Sequence, residues 1–173
     1  MRRLLGIGVG ILLSGCASTG SDTSPLSAEA TLKDKDGKQV AYAVLIDTAG
    51  GVRIALTGYR LPPGEHGLHL HEAGKCDPPD FTTAGGHFNP TGKQHGRLNP
   101  AGPHAGDLPN LKVAPSGEGG VELTTRAVTL GPGPTSLLGP NGTSLVVHAS
   151  ADDEKTDPSG NSGARIACGV IVK

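Results

Sequence analysis

Apolar residues recur along this chain in short alternating runs rather than at helical spacing. In 28–33, Ala-Glu-Ala-Thr-Leu-Lys, every second residue is apolar, and 39–47 and 51–58 extend the same period. Alternation of this kind gives a strand one apolar and one polar face. Lys33-Asp34-Lys35-Asp36-Gly37 turns the first pair of strands and Ala49-Gly50-Gly51 the second. Further strands are expected at 66–71, 109–114, 119–128, 144–148 and 165–172, with Ser116-Gly117-Glu118-Gly119 and Asn141-Gly142 as turns. Eight short strands with no amphipathic helix of useful length predict an all-β domain, a sandwich or a barrel. From Glu72 to Leu108 the period is lost. A structureless stretch of that length inside a compact domain is either functional or wrongly assigned, and metal or disulfide crosslinks would allow it to be ordered.

The start of the chain does not follow the strand pattern. Arg2 and Arg3 precede an uncharged run from Leu4 to Leu13, the charged head and short apolar body of an export signal, too short for a membrane span. The run ends Leu13-Ser14-Gly15-Cys16, which resembles a bacterial lipobox and implies cleavage before Cys16 and lipidation of its thiol; an ordinary secretory signal with a chance cysteine is the alternative. The expected organisation is therefore a signal peptide at 1–15, a lipidated Cys16 with a flexible tether to residue 27, and one domain over 28–173. Ala17 and Ser18 supply no aspartate to retain a lipoprotein at the inner membrane, so the outer membrane facing the periplasm is the expected destination in a Gram-negative host.

Removing the leader leaves thirteen basic against sixteen acidic residues, a net charge of −3. With no basic stripe, two Tyr, two Phe and no Trp, the chain has little for nucleic acid to bind or stack upon. Its core must come from Val, Leu, Ile and Ala. Of three cysteines, Cys16 belongs to the leader junction, and Cys76 and Cys168 remain. Outside the cytoplasm they are expected to form a disulfide tying the long loop to the last strand; two buried thiols are the alternative.

The histidines carry the chemistry. His69 and His71 project from one face of the 66–71 strand, while His66, Leu68 and Leu70 project from the other. Two imidazoles on one face suit a metal, although a polar face meeting only water gives the same pattern. His87, His95 and His104 lie in the long loop, Asp107 follows three residues after His104, and His148 closes the 144–148 strand. At this point the chain resembles the copper/zinc superoxide dismutases of the exported bacterial kind. The resemblance is carried by His66-Gly67-Leu68-His69-Leu70-His71, Gly74-Lys75-Cys76, Gly86-His87-Phe88-Asn89-Pro90, His95-Gly96, His104-Ala105-Gly106-Asp107-Leu108, Val146-Val147-His148, Asp152 and Gly163-Ala164-Arg165-Ile166-Ala167-Cys168-Gly169-Val170-Ile171.

That resemblance implies an eight-stranded Greek-key barrel with long metal-binding and active-site loops. It implies copper on His69, His71, His87 and His148, and zinc on His87, His95, His104 and Asp107, with His87 shared. Four nitrogen donors suit Cu(II), and three imidazoles with a carboxylate suit a closed, structural zinc site. The implied reaction is dismutation of superoxide to dioxygen and hydrogen peroxide, which protects the cell envelope. Arg165 would draw in the anion and His87 would carry a proton. Asp152 would link a copper-site histidine, His69 or His71, to His95, and His66 would be a buried hydrogen-bond bracket.

Two departures limit the transfer. Cys76 follows His71 by only five positions, so animal-enzyme dimer contacts do not carry over and monomer and homodimer both stay open. The acid-rich 149–164 segment, with Lys155 at its centre, is either a channel rim or a solvated loop. A periplasmic metal buffer and a structural lipoprotein on an inactive scaffold are the competing functions. Arg165 and the shared His87 argue against storage, and the complete ligand set argues against an inactive scaffold.

Overall fold

The computed structural model describes residues 24–173. The expected signal peptide, Cys16 and most of the tether lie outside the described residues. The expected alternation becomes nine antiparallel strands: β1 (Ser27–Lys33), β2 (Gln39–Thr48), β3 (Gly51–Gly58), β4 (Gly64–His66), β5 (Leu68–His71), β6 (Leu111–Val113), β7 (Gly119–Thr125), β8 (Ser144–His148) and β9 (Arg165–Val170). Their lateral order is β4-β6-β7-β3-β2-β1-β9-β8-β5. The two ends of that order, β4 and β5, are consecutive in the chain, so the sheet curls into a nearly closed barrel. β3 lies beside β7 while β4, β6 and β7 are successive neighbours, a Greek-key arrangement.

The strand count exceeds the expected eight because the 66–71 run is broken at Gly67. His66 pairs with Leu111 of β6, whereas Leu68 pairs with Val147 of β8. Gly67 itself donates to the Ser150 carbonyl and accepts from the His148 N–H. A Cβ there would come within 2.7 Å of the Ser162 Cβ, so only glycine lets the 149–164 loop approach. Three other strands are shorter than expected. The 119–128 run stops at Thr125, and Val128 and Leu130 are buried from a loop instead; the 109–114 and 165–172 runs likewise contract to 111–113 and 165–170. At the front of the domain β1 opens at Ser27, and Leu26 already packs on the core.

The barrel interior is filled as the alternation requires. Ala28, Ala30 and Leu32 of β1, Ala41, Ala43 and Leu45 of β2, and Val52, Ile54 and Leu56 of β3 all face inward. β5 and β8 differ, since every residue of both is buried. Leu68, Leu70, Leu145 and Val147 face the core, while His69, His71, Val146 and His148 face outward and are covered by loop. The cover is the aperiodic 72–110 segment, which carries one short 3-10 turn at Thr82–Ala84. Cys76 and Cys168 are joined by the expected disulfide, with Cα atoms 5.6 Å apart, and Phe81, Ala84 and Val146 pack around it. The loop also runs beside β5 through isolated bridges of His71 with His87 and of His69 with Asp107.

Candidate metal centre

β5, the end of β8, the covering loop and the 149–164 loop bring six histidines and two aspartates into one buried cluster. Each ring has one nitrogen fixed by a neighbour, which determines what the other can do. His71 Nδ1 lies 3.0 Å from the Gly85 carbonyl and His148 Nδ1 lies 3.1 Å from the Gly163 carbonyl. A carbonyl only accepts, so both nitrogens carry hydrogen and the two Nε2 lone pairs are freed; these are 3.4 Å apart. His69 Nε2 faces Asp152 Oδ2 at 2.8 Å, leaving Nδ1 buried without a partner among the described residues. His87 Nδ1 faces Asp107 Oδ1 at 3.0 Å, leaving Nε2 in the same condition. Orphaned buried nitrogens are costly unless something absent from the protein atoms completes them. His69 Nδ1 and the Nε2 atoms of His71, His87 and His148 are the four free nitrogens, and these side chains form one group able to hold a metal.

The second pocket converges on a single oxygen. Asp107 Oδ1 lies 3.0 Å from His87 Nδ1, 3.0 Å from His95 Nδ1 and 3.3 Å from His104 Nδ1. His104 Nδ1 is 3.4 Å from His87 Nδ1. Ligands about 2.0 Å from one tetrahedral ion are separated by roughly 3.3 Å, so these four atoms have the spacing of a zinc site. His69 is also near His87, His95 and Asp107, but its Nε2 is taken by Asp152 and its Nδ1 belongs to the first pocket; His104 completes the second. Asp107 Oδ2 is held by the N–H groups of Gly96 and His104, each at 2.9 Å, which aims Oδ1 at the imidazoles.

Asp152 connects the pockets. Its Oδ2 meets His69 and its Oδ1 meets His95 Nε2 at 3.0 Å, so the copper-side histidine left open between His69 and His71 is His69. Asn110 fixes the Asp152 peptide from both sides, donating to its carbonyl and accepting from its N–H at 2.8 Å each. Sequence reasoning missed this clamp, because an Asn in Leu-Pro-Asn reads as turn chemistry. His66 is 3% exposed on the far side of β5, its ring spanning the carbonyls of His148 and Pro62 at 2.8 Å each.

The electrostatics follow from burial. Desolvation lowers His71 to about 2, His148 to about 3 and His87 to about 4, with neighbouring imidazoles adding to the effect, so all three stay neutral and available to a metal. Burial also acts to lower His95, but its bonds to Asp107 and Asp152 outweigh it and hold the ring at about 9. Burial acts to raise both carboxyls, and their histidine partners still keep Asp107 and Asp152 well below the usual carboxylate range.

Arg165 is paired with His148 across β8 and β9, where a register shift follows Val147. Its Nη1 and Nη2 donate to the Phe81 and Gly85 carbonyls at 2.6 Å each. The Gly85 carbonyl thus holds both His71 and Arg165, fixing a cation beside the first pocket. Sequence reasoning missed this carbonyl, which has no side-chain signature. Burial lowers Arg165, with Asp80 opposing, and a guanidinium remains charged. Lys155 and its neighbours turn on Asp153, which accepts from the Lys155 and Thr156 N–H groups.

A Greek-key barrel with two buried metal pockets sharing one imidazole, and an arginine at the rim, defines a two-metal histidine protein. The chain matches the family profile described as copper/zinc superoxide dismutase over residues 40–171. It belongs to that family. It is 48% identical to superoxide dismutase [Cu-Zn] 2 of Aquifex aeolicus over 99% of both chains. It is also 40% identical to a superoxide dismutase-like protein of Bacillus subtilis, covering 87% of this chain and 79% of that one. Among solved structures, a SOD-like protein from Bacillus subtilis superposes with a TM-score of 0.80 at 40% identity, covering 83% of this chain and 97% of that one. The Cu/Zn superoxide dismutase of Brucella abortus gives a TM-score of 0.69 at 30% identity, covering 85% and 100%.

Proposed function

We propose that this chain is a superoxide dismutase in which His69 Nδ1 and the Nε2 atoms of His71, His87 and His148 hold copper. The Nδ1 atoms of His87, His95 and His104, with Asp107 Oδ1, hold zinc. The observation that carries this reading is His87: one nitrogen points into each pocket, and Nε2 is buried without a partner among the described residues. Copper supplies one-electron exchange in both directions, so that two superoxides and two protons give dioxygen and hydrogen peroxide. The chain's own residues do the rest. Arg165, fixed by two carbonyls, orients the small anion and offsets its charge. His87, held at Nδ1, has Nε2 alone to take up and deliver a proton. Asp107 and Asp152 fix the ring orientations, as partners behind metal ligands do.

A metal buffer would use the same ligands, but a shared imidazole and a rim guanidinium serve turnover and not storage. His148→Ala is expected to abolish dismutation while one zinc per chain remains, and Asp107→Ala to lose zinc first; metal analysis with an assay of superoxide loss checks both. Dismutation by copper-free protein would overturn the mechanism.

The envelope setting rests on the Arg2-Arg3 head, the apolar run and Leu13-Ser14-Gly15-Cys16, together with the disulfide, which suits an oxidising compartment. A lipid on Cys16 would anchor the domain at the outer membrane, protecting the envelope. Cys16→Ser is expected to leave the membrane fraction with its domain intact, and palmitate labelling that persists in that variant would refute the anchor.

A further inference from the structure

Glu72 directly follows His71, and its side chain turns back across the loop that runs beside β5. Its N–H donates to the Gly86 carbonyl and its Oε1 accepts from the Gly86 N–H, each at 3.0 Å. The stem lies against Gly85, whose φ is +75° and where a Cβ would come within 2.8 Å of Glu72 Cγ and Oε1. Only glycine at this position lets the side chain reach over. Glu72 is exposed and forms no ion pair among the described residues, so the Gly86 N–H is what holds its carboxylate.

The other edge of the same peptide faces the copper side. The Gly85 carbonyl and the Gly86 N–H belong to one planar trans unit, so they point in opposite directions. The carbonyl accepts from His71 Nδ1 at 3.0 Å and from Arg165 Nη2 at 2.6 Å. One peptide therefore has a carboxylate oxygen on one edge and an imidazole with a guanidinium on the other. A glycine stands on each side of it, and glycine leaves a peptide plane freer to turn than any other residue does. A hydrogen bond to the N–H stops that rotation. It also polarises the peptide and strengthens the carbonyl as an acceptor, since hydrogen bonds in a chain reinforce one another.

We propose that Glu72 is a positioning residue of the copper side: its carboxylate oxygen pins the Gly85–Gly86 peptide, and through the Gly85 carbonyl it sets the orientation of His71 and of Arg165. The inference deepens the dismutase reading and rests on it. Glu72 acts through this peptide and not on the superoxide anion, because the bond it makes lies on the far edge from His71 and Arg165.

The test compares the parent chain with Glu72→Gln and Glu72→Ala, all loaded with equal copper and zinc. Gln keeps an oxygen acceptor at the same reach and removes the charge, whereas Ala removes both. Electron paramagnetic resonance of the oxidised copper reads the ligand arrangement without turnover. Glu72→Ala is expected to shift the copper hyperfine splitting and to lower dismutation about tenfold, the low end of what partners behind metal ligands contribute. Glu72→Gln is expected to keep the parent spectrum and most of the rate. A parent-like spectrum and rate in Glu72→Ala overturns the proposal. So does a Gln variant displaced as far as the Ala variant, which would trace the effect to charge and not to the peptide bond it holds. Should Glu72→Ala not fold, as circular dichroism would show, Glu72→Asp, one methylene short of the Gly86 N–H, takes its place with the same expectation. A parent chain that holds copper without dismuting superoxide would defeat the dismutase reading, and the spectra would still decide the role of Glu72.

Discussion

Arg165 is the residue at which fold and chemistry meet. Its guanidinium spans the Phe81 and Gly85 carbonyls, and Gly85 also holds His71 Nδ1, so the cation and a copper-side imidazole are placed by one peptide group. Lysine at this position keeps the charge but cannot make the planar two-carbonyl fork. Dismutation is therefore expected to fall in the order Arg165, Arg165→Lys, Arg165→Ala, Arg165→Glu at equal metal content. Two charges about 6 Å apart interact by roughly 3 kcal/mol at an effective dielectric near 20, so reversing the sign should cost on the order of a hundredfold or more. Salt should compress the series, since steering is screened beyond about 10 Å at 0.1 M. Equal rates in all four proteins would reduce Arg165 to a structural side chain. The side chains of this site were legible in the sequence because histidine and aspartate are chemically distinctive and recur at fixed spacing. The Gly85 carbonyl and the Asn110 clamp were not, because a backbone oxygen has no signature and Asn is common in turns.

At the scale of the element, alternation located the strands because one face of each meets the core and the other meets water or loop. It failed where both faces are buried or the chain changes partners. The His66–His71 run looked continuous, since its parity is unbroken, yet Gly67 divides it between β6 and β8. An isolated glycine inside a strand was the available sign of close backbone approach. The 149–164 loop offers a sharper case. Gly160 has φ +62°, and a Cβ there would overlap the Asp152 carboxylate and lie 2.8 Å from His95 Nε2. Gly160→Ala should therefore displace Asp152 from the two histidines it joins. The expected result is weaker zinc retention, read by chelator competition, with the barrel strands unchanged by circular dichroism. Zinc retention equal to the parent would show that Asp152 does not orient His95.

For the whole molecule, the metal-free chain should depend on pH through its buried imidazoles. His71, His87 and His148 are neutral when folded, with values lowered to between about 2 and about 4, whereas the unfolded chain takes up protons near 6.5. Between those limits the unfolded state binds more protons, so stability is full above 6.5 and is lost progressively as pH falls toward 4 and below. Asp107 and Asp152, lowered from 3.8, extend the loss at the acid end. His95 opposes the trend: raised to about 9, it stabilises below 6.5 and loses that contribution as pH rises from 6.5 toward 9. Three groups against one give a net fall, so the urea midpoint of metal-stripped protein should be lower at pH 5 than at pH 7. Bound metal should flatten the profile, because the ligands are then held deprotonated by the ion.

The barrel is sealed by its two ends: Glu29 near the start of β1 exchanges hydrogen bonds with Val172, and Cys168 of β9 completes the disulfide with the loop at Cys76. A chain that emerges amino end first therefore holds β1 without its β9 partner until residues 165–172 are out. Contacts this distant in sequence are slow to form, since the closure entropy of the whole chain comes before their reward. Nascent fragments that stop short of β9 should thus have neither a sealed barrel nor an assembled copper pocket, and metal capture waits for β9, in whichever compartment receives that strand.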